Sequence, residues 1–289
     1  MTPFAAISRK EQIATRLAGF AVRSLLDEVR LTPKPGLVDR LNNGCHHDLS
    51  LELMESSAHC LDRVFFEMAM ASFGKIPCRQ MREELAAIGR KGEAIMMART
   101  GQVNTHRGAI WVLGLLTGAT SMLLADSGRL REGITSILHT AGAIARFEDS
   151  YQPAKMTNGD LVRRLFPVRS AREEAAAAFP CLQHVAIPAW IAFRHEPERI
   201  QRLNVLLALM SAVDDTCILH RGDIETLNTV RQLSGDIVRA GGMGMAENSV
   251  KYEQLDRFIT DKWVSPGGSA DLLAATIFLH KIVNKYKIN

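Results

Sequence analysis

Apolar residues recur at intervals of three and four positions along most of the chain, which is the pattern of amphipathic helices. This spacing predicts helices near residues 9–31, 50–72, 79–100, 129–147, 197–213, 223–240, 247–262 and 269–286. No stretch shows the alternation of apolar and polar residues that marks a half-buried strand. The pattern therefore predicts an all-α fold.

Glycine and proline punctuate the chain between these segments, for example at Pro33 and Pro35, in the GGMG of residues 241–244, and from Pro266 to Gly268. None of these gaps is long enough to be a flexible linker, and neither an internal repeat nor a low-complexity tract occurs. Residues 1–289 are therefore predicted to form one all-helical domain.

Residues 108–125 carry no charge, and this run reaches the length of about 18 to 20 apolar residues that can span a membrane. It is the only such run, and it contains small residues such as Gly114 and Gly118, which let a neighbouring helix approach closely. The sequence therefore favours a buried central helix, with the other helices bundled around it, over a membrane span.

Composition narrows the class of protein. Of the 289 residues 47% are hydrophobic and only 6% are aromatic, which favours helices over sheets. The 35 basic and 31 acidic residues give a net charge of +4, and no block of like charge concentrates it, which argues against a nucleic-acid partner.

The first residues, MTPFAAISRKEQ, reach charged positions before an apolar signal-peptide core could form. The five cysteines are odd in number and show no CxxC spacing, which is typical of free thiols in a reducing compartment. We therefore expect a cytoplasmic protein. A homodimer is compatible with so many apolar helices, but nothing in the sequence fixes it.

Four polar loops stand out against the helical background. The first covers residues 32–50 and holds Lys34, Asp39, His46 and Asp48. Two prolines restrict the backbone around Lys34, and a pinned lysine suits a phosphate. The alternative is an ordinary turn between helices, with Asp48 or Ser50 capping the next helix.

The second loop is Asn104, Thr105, His106, Arg107 and Gly108, at the mouth of the apolar run. Asn104 or Thr105 can cap the helix, whose free N–H groups attract anions, and Arg107 adds a phosphate ligand. His106 can act as an acid, a base or a donor to a leaving group. It can equally be a histidine whose bonds are satisfied at a helix start.

The third loop places Asp214 and Asp215 after an apolar helix and is followed by His220, Arg221 and Gly222. Adjacent carboxylates are costly there unless water, a base or a cation meets them, and only one of the two is expected to face a given site. The DDxxD spacing of prenyl diphosphate enzymes is missing.

The fourth loop runs from Ser265 through Gly267 and Gly268 to Asp271. Two glycines at a helix start allow a ligand to approach the backbone, and the free N–H groups favour phosphate. Asp271 would repel that phosphate unless Mg²⁺ bridges the two. The alternative is a plain loop in which Asp271 stabilises the helix dipole.

No Walker A motif, dinucleotide-binding glycine motif, nucleophile elbow or HExxH motif occurs. The four loops, with carboxylates beside basic residues, predict a Mg²⁺-dependent nucleotide site on a helical scaffold.

Five segments resemble the triphosphoribosyl-dephospho-CoA synthase family, and the match runs over most of the chain. They are PKPGLVD (33–39) with the Gly44, His46 and Asp48 pattern, VNTHRGAIWVLGLL (103–116), LLALMSAVDDT (206–216) with HRG (220–222), SPGGSADLLA (265–274), and AREEAAAAFP (171–180), the counterpart of a family segment ARGEAxxGFP.

The resemblance implies an all-α transferase that joins ATP to 3′-dephospho-CoA, releases adenine and forms 2′-(5″-triphosphoribosyl)-3′-dephospho-CoA. This product is the precursor of the prosthetic group on the acyl carrier subunit of malonate decarboxylase or citrate lyase, and a downstream transferase receives it. The residue pattern leans toward malonate decarboxylase.

The expected roles combine residue type with motif position. Glu174 is the expected base and His106 the donor near adenine, while Mg²⁺ is expected at Asp48, Asp215 and Asp271. The expected substrate and phosphate ligands are Lys34, Asp39, His46, Asn104, Arg107, Arg172, Arg221, Ser265, Gly267 and Gly268.

Four positions depart from the family pattern. Glu173 and Ala178 replace glycines, Asn158 stands near a usual histidine, and Cys217 replaces an asparagine. Glu173 is expected to narrow the site or to repel triphosphate.

Two other functions remain open at this point. A Mg²⁺-dependent N-glycosyl hydrolase would use the same carboxylates with water as the attacker. A non-catalytic helical protein that binds a partner would use the four loops only as helix caps.

Overall fold

A computed structural model describes residues 8–130, 133–153 and 156–286, with the side chain of Ser127 left out. The helices are α1 (Arg9–Val29), α2 (Leu51–Cys60), α3 (Asp62–Ser72), α4 (Arg79–Arg99), α5 (Arg107–Ser127), α6 (Gly133–Ala145), α7 (Asn158–Leu165), α8 (Ala171–Ala176), α9 (Ile187–Ala192), α10 (Glu198–Met210), α11 (Thr216–Arg221), α12 (Ile224–Arg239), α13 (Ser249–Lys262) and α14 (Gly267–Tyr286). No strand occurs among these residues, so the predicted all-α fold is confirmed.

Helix α5 is the centre of the bundle, as its uninterrupted apolar run predicts. It packs against α1, α3, α4, α6 and α14. By length and composition residues 107–126 could cross a membrane, with a mean hydropathy of 1.7, but 78% of the most apolar stretch is buried inside the fold. Helix α8 also contacts α5, and the burial of α5 among these helices matches the predicted core helix.

Two glycines of α5 set how closely α3 approaches. A Cβ atom on Gly114 would lie 2.8 Å from Met68 Sδ, and a Cβ on Gly118 would lie 2.9 Å from Ser72 Oγ. These distances are shorter than real Cβ contacts, so the two positions allow close packing of the helices.

Three parts of the helix prediction need correction. The predicted helix 50–72 is two helices, which meet at the fully buried Leu61. Helices α7 and α8 lie between the predicted helices 129–147 and 197–213, where the spacing of apolar residues predicts no helix. Residues 131 and 132 of the predicted helix 129–147 lie outside the described residues.

The segment around Pro188 is also helical, although proline usually interrupts a helix. A π-helical stretch, Leu182–Ala186, runs into α9, and Pro188 lies in the first turn of α9. Proline removes an N–H donor and crowds the preceding carbonyls, and a locally widened helix accommodates both effects.

The loop between α1 and α2 is folded back on itself. The N–H of Cys45 donates to the carbonyl of Gly36 across 3.1 Å, and the N–H of Asp39 donates to the carbonyl of Asn42 across 3.0 Å. Ser50 caps α2 by accepting the N–H of Leu53, as the alternative interpretation of this loop predicts.

Gly44 keeps this loop folded, so Gly44→Ala is predicted to destabilise the protein. Gly44 has φ +57°, and a Cβ there would lie 2.6 Å from the backbone of Gly36 and Leu37. Backbone atoms cannot move aside cheaply, so we expect the free energy of unfolding to fall by about 2 kcal/mol or more. Thermal unfolding followed by circular dichroism measures this.

Gly74→Ala is the matched control. Gly74 has a similar φ of +70°, but a Cβ there would meet nothing within 4 Å. The control therefore reports the backbone strain alone, and equal losses of stability in the two variants would contradict the proposed contact at Gly44.

Candidate functional site

The helix starts of α5 and α14 meet at the carboxylate of Asp271. A Cβ atom on Gly108 would lie 2.0 Å from Asp271 Oδ2, so only glycine at position 108 leaves room for this side chain. The Asp271 carboxylate also accepts the backbone N–H of Ala109 in the first turn of α5. The second and fourth predicted loops therefore form one site.

Asp271 lies in a concentration of negative charge. Its half-buried carboxylate is near Glu28 at the end of α1 and near Asp215. Burial raises the pKa of Asp271 well above its ordinary value, and the charges of Glu28 and Asp215 raise it further. A cationic group approaching Asp271 would be stabilised strongly.

Asp215 is buried and holds the starts of two helices together. Its Oδ1 accepts the N–H of Cys217 at 3.0 Å and the N–H of Gly268 at 3.2 Å. Its Oδ2 accepts the N–H of Ser269 at 2.8 Å and the hydroxyl of Ser269 at 3.0 Å. Burial raises the pKa of Asp215, and these bonds oppose that shift. Both carboxylate oxygens already have partners.

The neighbouring Asp214 points elsewhere, as the divergence of adjacent side chains predicts. Its Oδ1 accepts from Arg231 at 2.5 Å, and its Oδ2 accepts the N–H of Arg169 at 2.8 Å. Only Asp215 of the pair faces the start of α14.

The two glycines of the fourth loop give Asp215 and its neighbour room. A Cβ on Gly267 would lie 2.9 Å from Cys217 Sγ, and a Cβ on Gly268 would lie 3.2 Å from Asp215 Oδ1. Cys217, which replaces the family's asparagine, therefore packs against Gly267.

Lys34 is buried, as the proline-restricted loop suggests, but its charge already has a partner. Its Nζ donates to the Glu28 carboxylate at 2.5 Å and to the Glu28 carbonyl at 2.8 Å. Its backbone N–H donates to Asp39 Oδ2 at 2.9 Å, and Asp39 also accepts the N–H groups of Leu41 and Asn42. Asp39 thus shapes the loop that presents Lys34.

Sequence reasoning missed Glu28. The signal was present, because Glu28 lies among the buried residues of the apolar face of α1, beside Val29 and near Leu25. A glutamate on such a face needs a partner, and here the partner is Lys34.

His106 is buried with one free nitrogen. Its Nδ1 lies 2.9 Å from Ser57 Oγ, which lies 2.5 Å from Thr105 Oγ1. Its Nε2 is buried and makes no hydrogen bond. Burial and the nearby Lys34 charge lower the pKa of His106 from 6.5 to about 4, so the imidazole is neutral at neutral pH.

Asn104 and Arg107 frame the start of α5. Asn104 Oδ1 accepts the N–H of Arg107 at 3.2 Å, but the N-cap of α5 is His106, without a side-chain cap bond, and is neither Asn104 nor Thr105 as predicted. The guanidinium of Arg107 lies 3.0 Å from Glu93 Oε2 on α4.

His46, Arg221 and Ser265 join the first, third and fourth loops. His46 Nε2 lies 2.9 Å from Ser265 Oγ, and its Nδ1 lies 3.2 Å from Arg221. Arg221 also donates to the Cys45 carbonyl at 2.6 Å. Burial, followed by the Arg221 charge, lowers the pKa of His46 to about 4, and Asp48 opposes this. His46, Asp48 and Arg221 line a pocket of about 500 Å³.

Glu174 is a buried residue of helix α8. Its Oε1 accepts the N–H of Cys181 at 2.6 Å, and its Oε2 lies 3.3 Å from Arg169, whose own N–H reaches Asp214. Arg172 donates to Gln152 at 3.0 Å. Glu174 is therefore linked to the third loop through Arg169.

The expectation that Glu173 blocks the site finds no support in its contacts. The carboxylate accepts the N–H and hydroxyl of Ser170 at the start of α8 and pairs with Arg163 at 2.8 Å. Ala178, the other glycine replacement, adopts φ +62°, the left-handed region that glycine prefers. Asn158 is the first residue of α7.

Arg82 is a second residue that sequence reasoning missed. In the sequence it stands among the charged residues of α4, which suggests a helix face exposed to water. It is buried over the ring of Trp111 at 4.7 Å, and its Nε and Nη1 make no hydrogen bonds. Burial lowers the pKa of Arg82, the Asp149 carboxylate raises it, and the charge of Arg172 lowers it further. Asp149 Oδ2 lies 3.9 Å from Nη1, so the guanidinium has an acidic neighbour.

The predicted metal ligands do not form one cluster. Within the described parts of the chain, no group of three His, Cys, Asp or Glu side chains is arranged to hold a metal ion. Asp48 lies on the rim, 4.0 Å from His46, and its side chain is 63% exposed. The role of Mg²⁺ stays a prediction.

Comparison with known proteins gives consistent results. The family described as "CitG: ATP:dephospho-CoA triphosphoribosyl transferase" matches residues 14–289. The 2-(5''-triphosphoribosyl)-3'-dephosphocoenzyme-A synthase of Klebsiella pneumoniae is 40% identical over 270 residues, which are 92% of this chain and 94% of that protein. A protein of Azotobacter vinelandii named "Probable 2-(5''-triphosphoribosyl)-3'-dephosphocoenzyme-A synthase" is 40% identical over 98% of this chain and 96% of its own.

One solved structure shares the fold. It is described as "Crystal structure of putative triphosphoribosyl-dephospho-coA synthase from Archaeoglobus fulgidus", and it is 16% identical with a TM-score of 0.51. The aligned region covers 78% of this chain and 97% of the chain in that structure.

The neutral state of His106 predicts a pH dependence of stability. Below pH 6.5 the unfolded chain binds a proton at this histidine, whereas the folded protein does so only near pH 4. The free energy of unfolding should therefore fall as pH drops from 6.5 to 4, by up to about 1.4 kcal/mol per pH unit for this group. Urea unfolding at a series of pH values measures the slope.

His106→Asn should remove this contribution and leave the slope due to His46. His139→Asn, which removes an exposed histidine of α6, is the control. An unchanged slope in His106→Asn would mean that His106 is protonated in the folded protein.

Proposed function

Because this chain belongs to the ATP:dephospho-CoA triphosphoribosyl transferase family, we propose that the site around Asp271 transfers the triphosphoribosyl group of ATP to 3′-dephospho-CoA. The product is 2′-(5″-triphosphoribosyl)-3′-dephospho-CoA, and adenine leaves. One observation carries the proposal: a half-buried carboxylate in a field of negative charge lies against Gly108 at the start of α5, and the N-cap of that helix is a buried neutral histidine with a free Nε2.

The reaction exchanges one bond to C1′ of the ATP ribose for another. The 2′-hydroxyl of dephospho-CoA forms the new bond, the bond to adenine breaks, and the hydroxyl proton passes to a base. Positive charge develops on the ribose in the transition state, as in glycoside transfer. The charges of Asp271, Glu28 and Asp215 stabilise that cation, because they act in a poorly solvated site.

His106 is proposed as the donor to the departing base. Its Nε2 is free, and it can carry the proton of a neutral imidazole if Ser57 donates to Nδ1. A neutral donor suits a site where Lys34 already supplies a positive charge. Glu174 is the proposed base, which its burial and its single charged partner Arg169 support.

Mg²⁺ is the proposed cofactor, and the charges around Asp271 fit it. Three carboxylates share this region with one lysine, so a cation is favoured. Mg²⁺ is usually held by one or two carboxylates together with substrate phosphates. Asp271 is the proposed protein ligand, with Asp215 and Asp48 acting through bound water, and the ion would neutralise the triphosphate.

The basic residues of the loops are the proposed phosphate ligands. Arg107, Arg172 and Arg221 each keep guanidinium donors at or near the surface. Lys34 is bound to Glu28, so its proposed contribution is to fix that carboxylate as well as to attract phosphate. Asn104, His46 and Ser265 complete the set. Gly267 and Gly268 keep the backbone of α14 open to a ligand, but their N–H groups already donate to the Ser265 carbonyl and to Asp215 Oδ1.

The proposed product is a prosthetic-group precursor for the acyl carrier subunit of malonate decarboxylase or citrate lyase. A transferase acting on that subunit would receive it in the cytoplasm. The homodimer stays a prediction.

Mass spectrometry tests the reaction. The purified protein is incubated with ATP, Mg²⁺ and 3′-dephospho-CoA, and we expect equal amounts of adenine and triphosphoribosyl adduct, both abolished by EDTA. Adenine without the adduct would identify an N-glycosyl hydrolase. If neither adenine nor the adduct forms, the proposal is overturned.

Changing carboxyl groups to amides tests the catalytic roles. We expect Asp271→Asn and Glu174→Gln to lower kcat by about 100-fold or more, since each removes a charge or a base. Asp271→Asn should also raise the melting temperature, because it removes a carboxylate that burial and like charges disfavour. Adenine release and thermal melts measure the two effects.

Glu173→Gln is the matched control. Glutamine also completes the helix cap with Ser170, so this variant should keep its kcat. Full turnover by Glu174→Gln would remove Glu174 as the base.

A further inference from the structure

Two exposed aromatic side chains form one wall of the pocket beside the reaction site. The rings of His47 and Trp263 stack with centroids 4.6 Å apart and planes 22° from parallel. His47 belongs to the loop before α2, and Trp263 follows the last residue of α13. Trp263 is 40% exposed. Neither residue is used by the proposed chemistry.

Trp263 adopts a backbone conformation that its side chain makes unfavourable. Its φ of +51° and ψ of 44° lie in the left-handed region, where helices usually end with glycine. The chain nevertheless ends α13 there, with the N–H of Trp263 bonded to the Thr260 carbonyl at 3.0 Å. Strained residues of this kind cluster at ligand sites, so the exposed indole calls for a functional explanation.

The pocket between these rings and the third loop is mainly cationic. Arg221 and Lys262 line it together with His46, and Asp48 supplies the acidic group. The Arg221 guanidinium is fixed by the Cys45 carbonyl and by His46, so it is held in place for a ligand. Aromatic rings stack on nucleic-acid bases, and fixed guanidinium groups bind phosphate.

This pocket is continuous with the groups around Asp215. Arg221 is the last residue of α11, the helix that Asp215 caps. His46 contacts Ser265, which stands two residues before the glycine that starts α14. A nucleotide in the pocket would therefore have its phosphates beside the loops of the proposed reaction site.

We propose that this pocket binds the adenine base of a substrate nucleotide, stacked on the Trp263 and His47 pair, with the phosphates at Arg221 and Lys262. The assignment rests on the proposed function, which supplies two ligands with this chemistry. ATP and 3′-dephospho-CoA each carry an adenine and a chain of phosphates, and only binding measurements with each nucleotide alone separate them.

The test is isothermal titration of the whole protein with Mg·ATP alone and with 3′-dephospho-CoA alone, conditions under which transfer cannot occur. Trp263→Gly removes the ring and also fits the left-handed backbone, so this variant should fold at least as well as the wild type. We expect its affinity for one of the two nucleotides to fall between about five-fold and a hundred-fold. Trp263→Phe should keep part of that affinity.

Trp190→Phe is the matched control. Trp190 stacks on His280 at 4.0 Å, so it is also half of a tryptophan and histidine pair, but it does not line this pocket. Its nucleotide affinities should equal those of the wild type.

The two nucleotide titrations decide the assignment. A loss for ATP alone places the leaving adenine here, and a loss for dephospho-CoA alone places the retained adenine here. Wild-type affinities for both nucleotides in Trp263→Gly would overturn the assignment, while turnover by the wild type would leave the proposed function standing. Failure of the wild type to bind either nucleotide would overturn both.

Discussion

The hydrogen bonds that Asp215 accepts from the starts of two helices determine the geometry of the site. A helix begins with N–H groups that have no partner inside the helix, and these groups need one when they are buried. Asp215 meets this need for α11 and α14 at once, with four bonds to its two oxygens. Ser265, Gly267, Gly268 and Asp271 are positioned as a result, since all four lie at the start of α14.

The same arrangement leaves negative charge unneutralised. Glu28 has Lys34, and Asp215 has its N–H partners, but Asp271 has the N–H of Ala109 and the space that Gly108 leaves. A carboxylate with so few partners lowers the stability of the folded protein, and it gains most from a cationic ligand. The site thus combines two carboxylates that have their partners, Glu28 and Asp215, with one carboxylate, Asp271, whose charge no cationic side chain in the described part of the chain neutralises.

The helix prediction is accurate where burial is one-sided, because the spacing of apolar residues then reports the helix face. It fails at Leu61, where a break occurs without glycine or proline, and near Pro188, where proline sits inside a helix. At the site, the motifs bring together Asp215 with Gly268, and Asp271 with the start of α5, whose N-cap is His106.

The sequence does not reveal Ser57, Arg82 or Trp263, since the meaning of each depends on a partner distant in the chain. Ser57 and His106 are 49 positions apart, and the strain at Trp263 is visible only in the backbone. Glu173 is expected from the motif comparison to narrow the site or to repel triphosphate, whereas only the structure shows its local contacts, a helix cap with Ser170 and an ion pair with Arg163.

The link between Asp215 and Ser269 also bears on how the protein folds. The two residues are 54 positions apart, and the chain between them forms α11, α12 and α13. The cap needs α14 to lie against α11, which makes it a contact of high sequence separation. Closing so long a stretch of chain costs conformational entropy, so we expect this part of the site to form late in folding and not as local structure.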